Sequence, residues 1–295
     1  MRWQDWAWLI LVACLFSSSF LFHKIAVLEY PAMTIAAGRV VVAIPVALGT
    51  IWYLGLRLPS TLVEWRPLAV MALLGVLIPF FSVAWGMRHI EAGLGGILMA
   101  TVPILTVVLA PLLTKDEQFS LVRGSGALVG LGGVVLVIGP LALAGFGNYL
   151  MGALVVLIAP FGYALSGIFI RRYGTYHPLV LTTGQFMVGS LVLVPLALVQ
   201  DQLWLREVTW QGLGSLVAIG LVGTVIPTLL FFPLVRRVGA TSSSPLALFI
   251  PVFTVLFGAI LLHERLPWNT FAGMALILSG AYAVASGKNP FVRKK

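Results

Sequence analysis

The nine acidic residues, Asp5, Glu29, Glu64, Glu91, Asp116, Glu117, Asp201, Glu207 and Glu264, and the four histidines, His23, His89, His177 and His263, are the groups able to supply acid–base or metal chemistry. No two histidines have the spacing of a metal pair, and no acid sits beside another inside an apolar stretch. Cys14 is the single cysteine, so no disulfide forms within the chain and no cysteine pair exists to bind a metal. Without a nucleophile–base pair, paired acids or a phosphate-cradling loop, a membrane-embedded enzyme has no template here, and neither metal nor cofactor is implied. The chemically distinctive residue that remains is Arg39, a cation within an otherwise apolar run.

The elements holding these residues follow from composition. The chain of 295 residues is 60% hydrophobic and 9% charged, with a mean hydropathy of +1.06. That apolar surface exceeds what one water-soluble core buries, so the lipid bilayer is the expected solvent. Apolar runs long enough for about 30 Å of hydrocarbon recur at residues 6–27, 34–54, 67–87, 92–113, 122–143, 149–170, 178–199, 210–234, 240–262 and 270–287. The fold class expected is an all-α membrane protein of ten helices. A β-barrel is excluded because these runs are apolar on every side rather than alternating. The first run is read as a retained helix and not a cleaved leader, since no small-residue cleavage site clearly follows it.

A net charge of +9 raises nucleic acid as a partner, but the charges are distributed as in a membrane protein. Thirteen lysines and arginines fall on the side of the chain ends and four on the other, with Arg39 within the second span. The positive-inside rule therefore puts both termini in the cytoplasm, in a multi-pass protein of the inner (plasma) membrane.

The sequence also repeats. Shifted by 148 residues, the third and fourth spans match the eighth and ninth: Leu73 with Leu221, Gly75 with Gly223, Ile78 with Ile226, Pro79 with Pro227, Pro103 with Pro251 and Thr106 with Thr254 are among 11 identities between residues 73 and 113. Apolar bias alone gives about four. A shift of 147 pairs Ser19 with Ser166, Phe22 with Phe169, Pro31 with Pro178, Glu117 with Glu264, Gly126 with Gly273 and Gly133 with Gly280. The units are residues 1–143 and 149–287, followed by a basic tail at 288–295. Five spans is an odd number, so the second unit enters the membrane from the opposite face. Inverted repeats recur in secondary transporters with the substrate held between the halves.

This arrangement assigns roles by spacing. Pro79, Pro227, Pro103 and Pro251 each remove a backbone hydrogen bond, and with Gly75 and Gly223 one turn earlier they are the expected hinges, static kinking being the alternative. Phe81 and Trp85 share a helix face beside Ser82, and Tyr163 shares one with Ser166. With Phe16, Ser19, Phe80, Met99, Thr101 and Ser244 they form the expected chamber for a small neutral or amphipathic substrate, with packing against lipid as the alternative for each. Arg39 lies about five residues from the end of its span, close enough to snorkel or to pair with Glu29 or Glu91. A structural role and direct anion binding both stay open. The glycines at 126–133, 273 and 280 are expected to allow close packing, and most tryptophans sit near span ends as an interfacial belt.

Residues 239–284, with Gly239-Ala-Thr, Pro251, His263-Glu264-Arg265-Leu266 and Gly273 to Gly280, resemble the repeated domain of EamA-type exporters in the drug/metabolite transporter superfamily. Residues 92–137 repeat it with Ala92, Pro103, Glu117, Gly126 and Gly133, and Phe16-Ser-Ser-Ser-Phe20, Lys24, Pro31 and Arg39 are similar to that domain's opening. The second unit departs from it by carrying Phe186 where Arg39 is matched. The resemblance implies a ten-helix carrier that exports amino acids, other metabolites or drugs, with a YddG-like exporter of aromatic and other neutral amino acids as the nearest subfamily and a broad-specificity drug exporter as the alternative. Proton- or sodium-driven carriers place a carboxylate at membrane depth, and no acid here lies there, so alternating access without tight ion coupling, in a monomer, is expected. A channel is the competing class, though no span has the polar face of a pore lining.

Overall fold

The computed structural model describes residues 2–114, 121–143, 147–170, 176–202, 209–239, 243 and 245–286. Ten helices run through them: α1 (Trp3–Ala26), α2 (Ala32–Tyr53), α3 (Leu62–Gly86), α4 (Ala92–Leu113), α5 (Leu121–Leu143), α6 (Asn148–Ile170), α7 (Pro178–Asp201), α8 (Trp210–Val238), α9 (Leu246–Leu261) and α10 (Trp268–Ser286). Among the described residues nine are long and apolar enough to cross a membrane, and α9 is equally apolar but has 16 residues. Lipid contact explains why aliphatic residues such as Leu128, Val135, Leu191 and Ile260 stand exposed along the helices. Trp3, Trp52, Trp210 and Trp268 are exposed at helix ends, where indole suits the interface.

The matched prolines of α3 and α8 have the same local consequence. Residues 73–77 and 221–225 form a π turn in which the N–H groups of Ile78 and Ile226 bond the carbonyls five residues back, Leu73 and Leu221. Pro79 and Pro227 follow at the second position of the resumed α-helix. A proline ring crowds the carbonyl four residues before it and has no N–H to bond it, and one extra residue in the turn relieves both problems.

The second proline pair differs between the units. The helix α4 is interrupted at Ala100–Thr101, just ahead of Pro103, giving segments Ala92–Met99 and Val102–Leu113. Its mate α9 passes Pro251 without a break.

Helices α5 and α10 pack backbone to backbone at the glycines. A Cβ on Gly280 would lie 2.5 Å from the Gly126 carbonyl oxygen, and one on Gly133 would lie 2.7 Å from that of Gly273. Small residues are required there because any side chain would separate the helices.

Candidate functional site

Helices α1 to α4 and α6 to α9 enclose a cavity of about 700 Å³. Its centre is built from positions matched by the repeat. Phe16 faces it with its mate Tyr163, Ser19 with Ser166, Gly75 with Gly223, Val76 with Thr224, Phe80 with Thr228, and Arg39 with Phe186. The two glycines are what let the halves meet. A Cβ on Gly75 would lie 2.8 Å from Ser166 Oγ, and a Cβ on Gly223 would lie 2.7 Å from Ser19 Cβ. Each glycine of one unit thus receives the serine of the other.

Of the chamber residues expected from sequence, Phe16, Ser19, Phe80, Met99, Tyr163 and Ser166 line this cavity, as does Arg39. Phe81, Ser82, Trp85 and Thr101 do not. On α3 the cavity face is Val76, Phe80 and Val83, so Phe81 is turned about 100° from Phe80 and packs into the core with Trp85. The Trp85 ring lies 4.7 Å from that of His89. Ser82 is buried and donates to the Ile78 carbonyl, and Thr101 is buried and donates to the Leu98 carbonyl, both at 2.7 Å. Ser244 lies outside the described residues. Among the residues placed as hinges, Gly75 and Gly223 reach the cavity wall, while Pro79, Pro103, Pro227 and Pro251 shape helices behind it.

Five polar lining residues were not expected from the sequence, Thr182, Gln185, Thr224, Thr228 and Ser243. Gln185 carried a usable signal, an amide in the middle of an apolar span. Thr224 did not stand out, because its mate Val76 is apolar and its role depends on a contact from the other unit.

That contact corrects the expectation for Arg39. The side chain neither snorkels to the surface nor pairs with Glu29 or Glu91. Its Nε donates to Thr224 Oγ1 at 2.7 Å, and Thr224 lies 14 residues from either end of α8, at the middle of that span. The guanidinium carbon stands 3.8 Å from the centroid of the Phe80 ring, whose other neighbour is Phe186 at 6.4 Å between ring centroids. A guanidinium over an aromatic face gains up to about 2 kcal/mol when desolvated, which helps to hold the cation at this depth. Arg39 is 8% exposed.

The acids are occupied elsewhere. Glu29 accepts from the Thr209 hydroxyl, Glu91 from the Tyr149 hydroxyl, and Asp201 from the Thr34 N–H and hydroxyl at 2.8 and 2.5 Å. Glu264 accepts the N–H groups of Ala92 and Gly93 at 2.6 and 3.0 Å, capping the first turn of α4 from the other unit. These four links all join the two units on the face opposite the chain termini. Glu64 accepts from the Ser60 and Thr61 N–H groups, and Asp5 forms an ion pair with Arg237 at 3.0 Å on the terminal face. Among the described residues no acid lines the cavity. Asp116, Glu117 and Glu207 lie outside them.

The two ends of the cavity are not equivalent. On the terminal side its lining reaches Ile170 at the end of α6, Thr182 near the start of α7, Val235 near the end of α8, Ser243 three residues ahead of α9 and Leu246 at the start of α9. Their repeat mates, His23, Ile35, Met87, Gly95 and Leu98, are all buried and none lines it. On that opposite side the chain is sealed. A Cβ on Gly95 would lie 2.7 Å from Met87 Sδ and 3.2 Å from Phe20 Cδ1, and Lys24 Nζ donates to the carbonyls of Met87 and Ile90 at 3.2 and 2.9 Å. The first segment of α4 also lies against α9, with a Cβ on Gly96 only 2.5 Å from Thr254 Cβ.

Two inverted five-helix units around a central, one-sided cavity define a membrane protein of the transporter class. The EamA-like transporter family, within the drug/metabolite transporter superfamily, matches residues 6–139 and again 150–286, and the chain belongs to it. It is 25% identical over 214 residues to the uncharacterized transporter YoaV of Bacillus subtilis, covering 72% of this chain and 73% of that protein. It is 23% identical over 287 residues to the uncharacterized inner membrane transporter YedA of Escherichia coli, covering 95% and 90% respectively. A crystal structure at 19% identity superposes with a TM-score of 0.65 over 97% of both chains, which shows the shared fold.

Proposed function

We propose that the chain is a facilitative carrier that exports small amphipathic metabolites, with amino acids, aromatic ones included, as the leading class. In this reading the monomer is the working unit, the termini lie in the cytoplasm, and the form described here receives substrate from the cytoplasmic side. The observation that carries it is the asymmetry of matched positions: five lining residues on the terminal side have mates that are packed tight on the other. Because the units are inverted copies, exchanging their conformations would close the first side and open the second.

The same comparison separates moving parts from fixed ones. The π turns ahead of Pro79 and Pro227 are alike in both units, although one unit borders the sealed end and the other the open end. They act as permanent shaping. The break at Ala100–Thr101 has no counterpart at the matched Leu248–Phe249, which are helical, so the bend in α4 and α9 is the element that changes between forms.

The packed end favours a carrier over a channel, which needs a continuous path. The test is counterflow from proteoliposomes with a panel of amino acids and related metabolites. Saturable exchange, accelerated by substrate on the far side, is expected. Flux that stays unsaturated at high concentration defeats the carrier reading, and uphill accumulation driven by a pH gradient alone defeats the facilitative one.

A further inference from the structure

We propose that the group this cavity anchors is the carboxylate of an organic monoanion with an apolar body, held by the Arg39 guanidinium; the proposal rests on the carrier reading and names the substrate class within it. Three observations converge on it. First, the guanidinium is fixed on one edge and one face only. Nε is bonded to Thr224 Oγ1, whose own proton goes to the Ile219 carbonyl at 2.7 Å, so that hydroxyl is committed as an acceptor. Phe80 covers one face. The two terminal nitrogens have no hydrogen-bond partner among the described residues.

Second, among the described residues no charge balances it. The six described acids are engaged at helix ends, and the repeat offers no second cation, because the mates of Arg39 and Thr224 are Phe186 and Val76. A buried guanidinium without a counter-ion is held at a cost of several kcal/mol, which a ligand bearing one negative charge offsets. A dianion would leave its second charge unpaired in the same apolar space. Third, the geometry of two parallel terminal N–H groups matches a carboxylate, which accepts both at once. The rest of the wall is largely aromatic and aliphatic, with Phe16, Phe20, Phe186 and Ile250 positioned to receive a hydrocarbon body.

An ammonium group, by contrast, finds no acid among the described lining residues. The carboxylate of an amino acid is therefore the recognised part, and its amino group adds nothing to binding.

The experiment measures ligand stabilisation of the purified full-length chain at pH 7 with four probes sharing one body: phenylpropanoate, phenylalanine, phenylpropanamide and phenylpropylamine. The same acid–amide comparison is repeated with an aliphatic body. Phenylpropanoate should bind at least as tightly as phenylalanine and roughly ten- to hundredfold more tightly than its amide, the range expected for hydrogen bonds to a charged group. The amine should be weakest. Arg39→Gln should abolish the acid-over-amide preference. Should that variant fail to fold, the native protein's ranking still decides, and Thr224→Val, which frees the guanidinium edge, should weaken the acid while leaving the amide unchanged. Equal binding of acid and amide in both bodies by the native chain, or binding of none of the probes, overturns the proposal. Selective acid binding without exchange across proteoliposomes would support the anion site and defeat the carrier reading, whereas exchange without acid preference would do the reverse.

Discussion

Gly96→Ala probes the sealed end of the cavity directly. The new Cβ would lie 2.5 Å from both Cβ and Oγ1 of Thr254 and 2.7 Å from its Cγ2. Carbon atoms pack at about 3.5 to 4.0 Å, so the overlap is roughly 1 Å. Rotating the threonine does not relieve it, because Cβ stays in place and Oγ1 is bonded to the Ile250 carbonyl at 2.8 Å. The first segment of α4 must move away from α9, at a cost of about 1 to 3 kcal/mol. In the proposed exchange that contact exists in only one form, so the penalty falls on one side of the equilibrium. The population of the form open opposite the termini should rise about 5- to 150-fold. The assay uses a Cys14→Ser background carrying Met87→Cys, at a position with 0% exposure, and a membrane-impermeant maleimide applied from the face opposite the termini. Labelling should accelerate with Gly96→Ala and return towards its starting rate when Thr254→Gly is added. Unchanged labelling in a folded Gly96→Ala protein would refute the reasoning, as would failure of Thr254→Gly to reverse the effect.

Other expectations follow from the same contacts. Gly223→Ala drives a carbon to 2.9 Å from the Ser19 Cα, which cannot yield, whereas Gly75→Ala meets the rotatable hydroxyl of Ser166. The first should therefore lower the thermal midpoint in detergent by the equivalent of about 1 to 3 kcal/mol and the second by less. Glu264→Ala strands the Ala92 and Gly93 N–H groups and should cost about 2 to 4 kcal/mol, with Glu264→Gln costing about half, read as midpoint shifts. Tyr163→Ala should raise the half-saturating substrate concentration in counterflow, while Trp85→Ala, outside the cavity against His89, should lower the midpoint and leave that concentration unchanged. Arg237→Ala breaks a pair whose arginine is 44% exposed and should shift stability by less than about 1 kcal/mol in a salt-dependent denaturation series.

The helices, their number and the antiparallel relation of the two units were legible in the sequence because each rests on a local or countable property. Twenty apolar residues must cross a bilayer as a helix, and an odd number of spans inverts the copy. The Ser19–Ser166 and Gly75–Gly223 matches belong to the same class. Their repeated spacing marked them before the contact of each glycine with the other unit's serine was visible.

What the sequence left open depends on which way a side chain turns and what another helix places beside it. Phe81 and Trp85 have the composition of a binding wall, but the π turn and the helix period aim Phe80 and Val83 at the cavity instead. Arg39 illustrates the limit most clearly. Its position in α2 permitted snorkelling, and only the approach of α8, with Thr224 at the middle of its length, draws the guanidinium inward. The one-sided cavity is likewise a tertiary fact: two units that share one repeated pattern adopt different packing, and no property of either sequence copy says which end closes. The residues determined an inverted pair of helical units with a cation inside an apolar span; the packing between the units decided that the cation faces a central cavity, because there the Phe80 ring of its own unit and the Thr224 hydroxyl of the opposite unit compensate its loss of water.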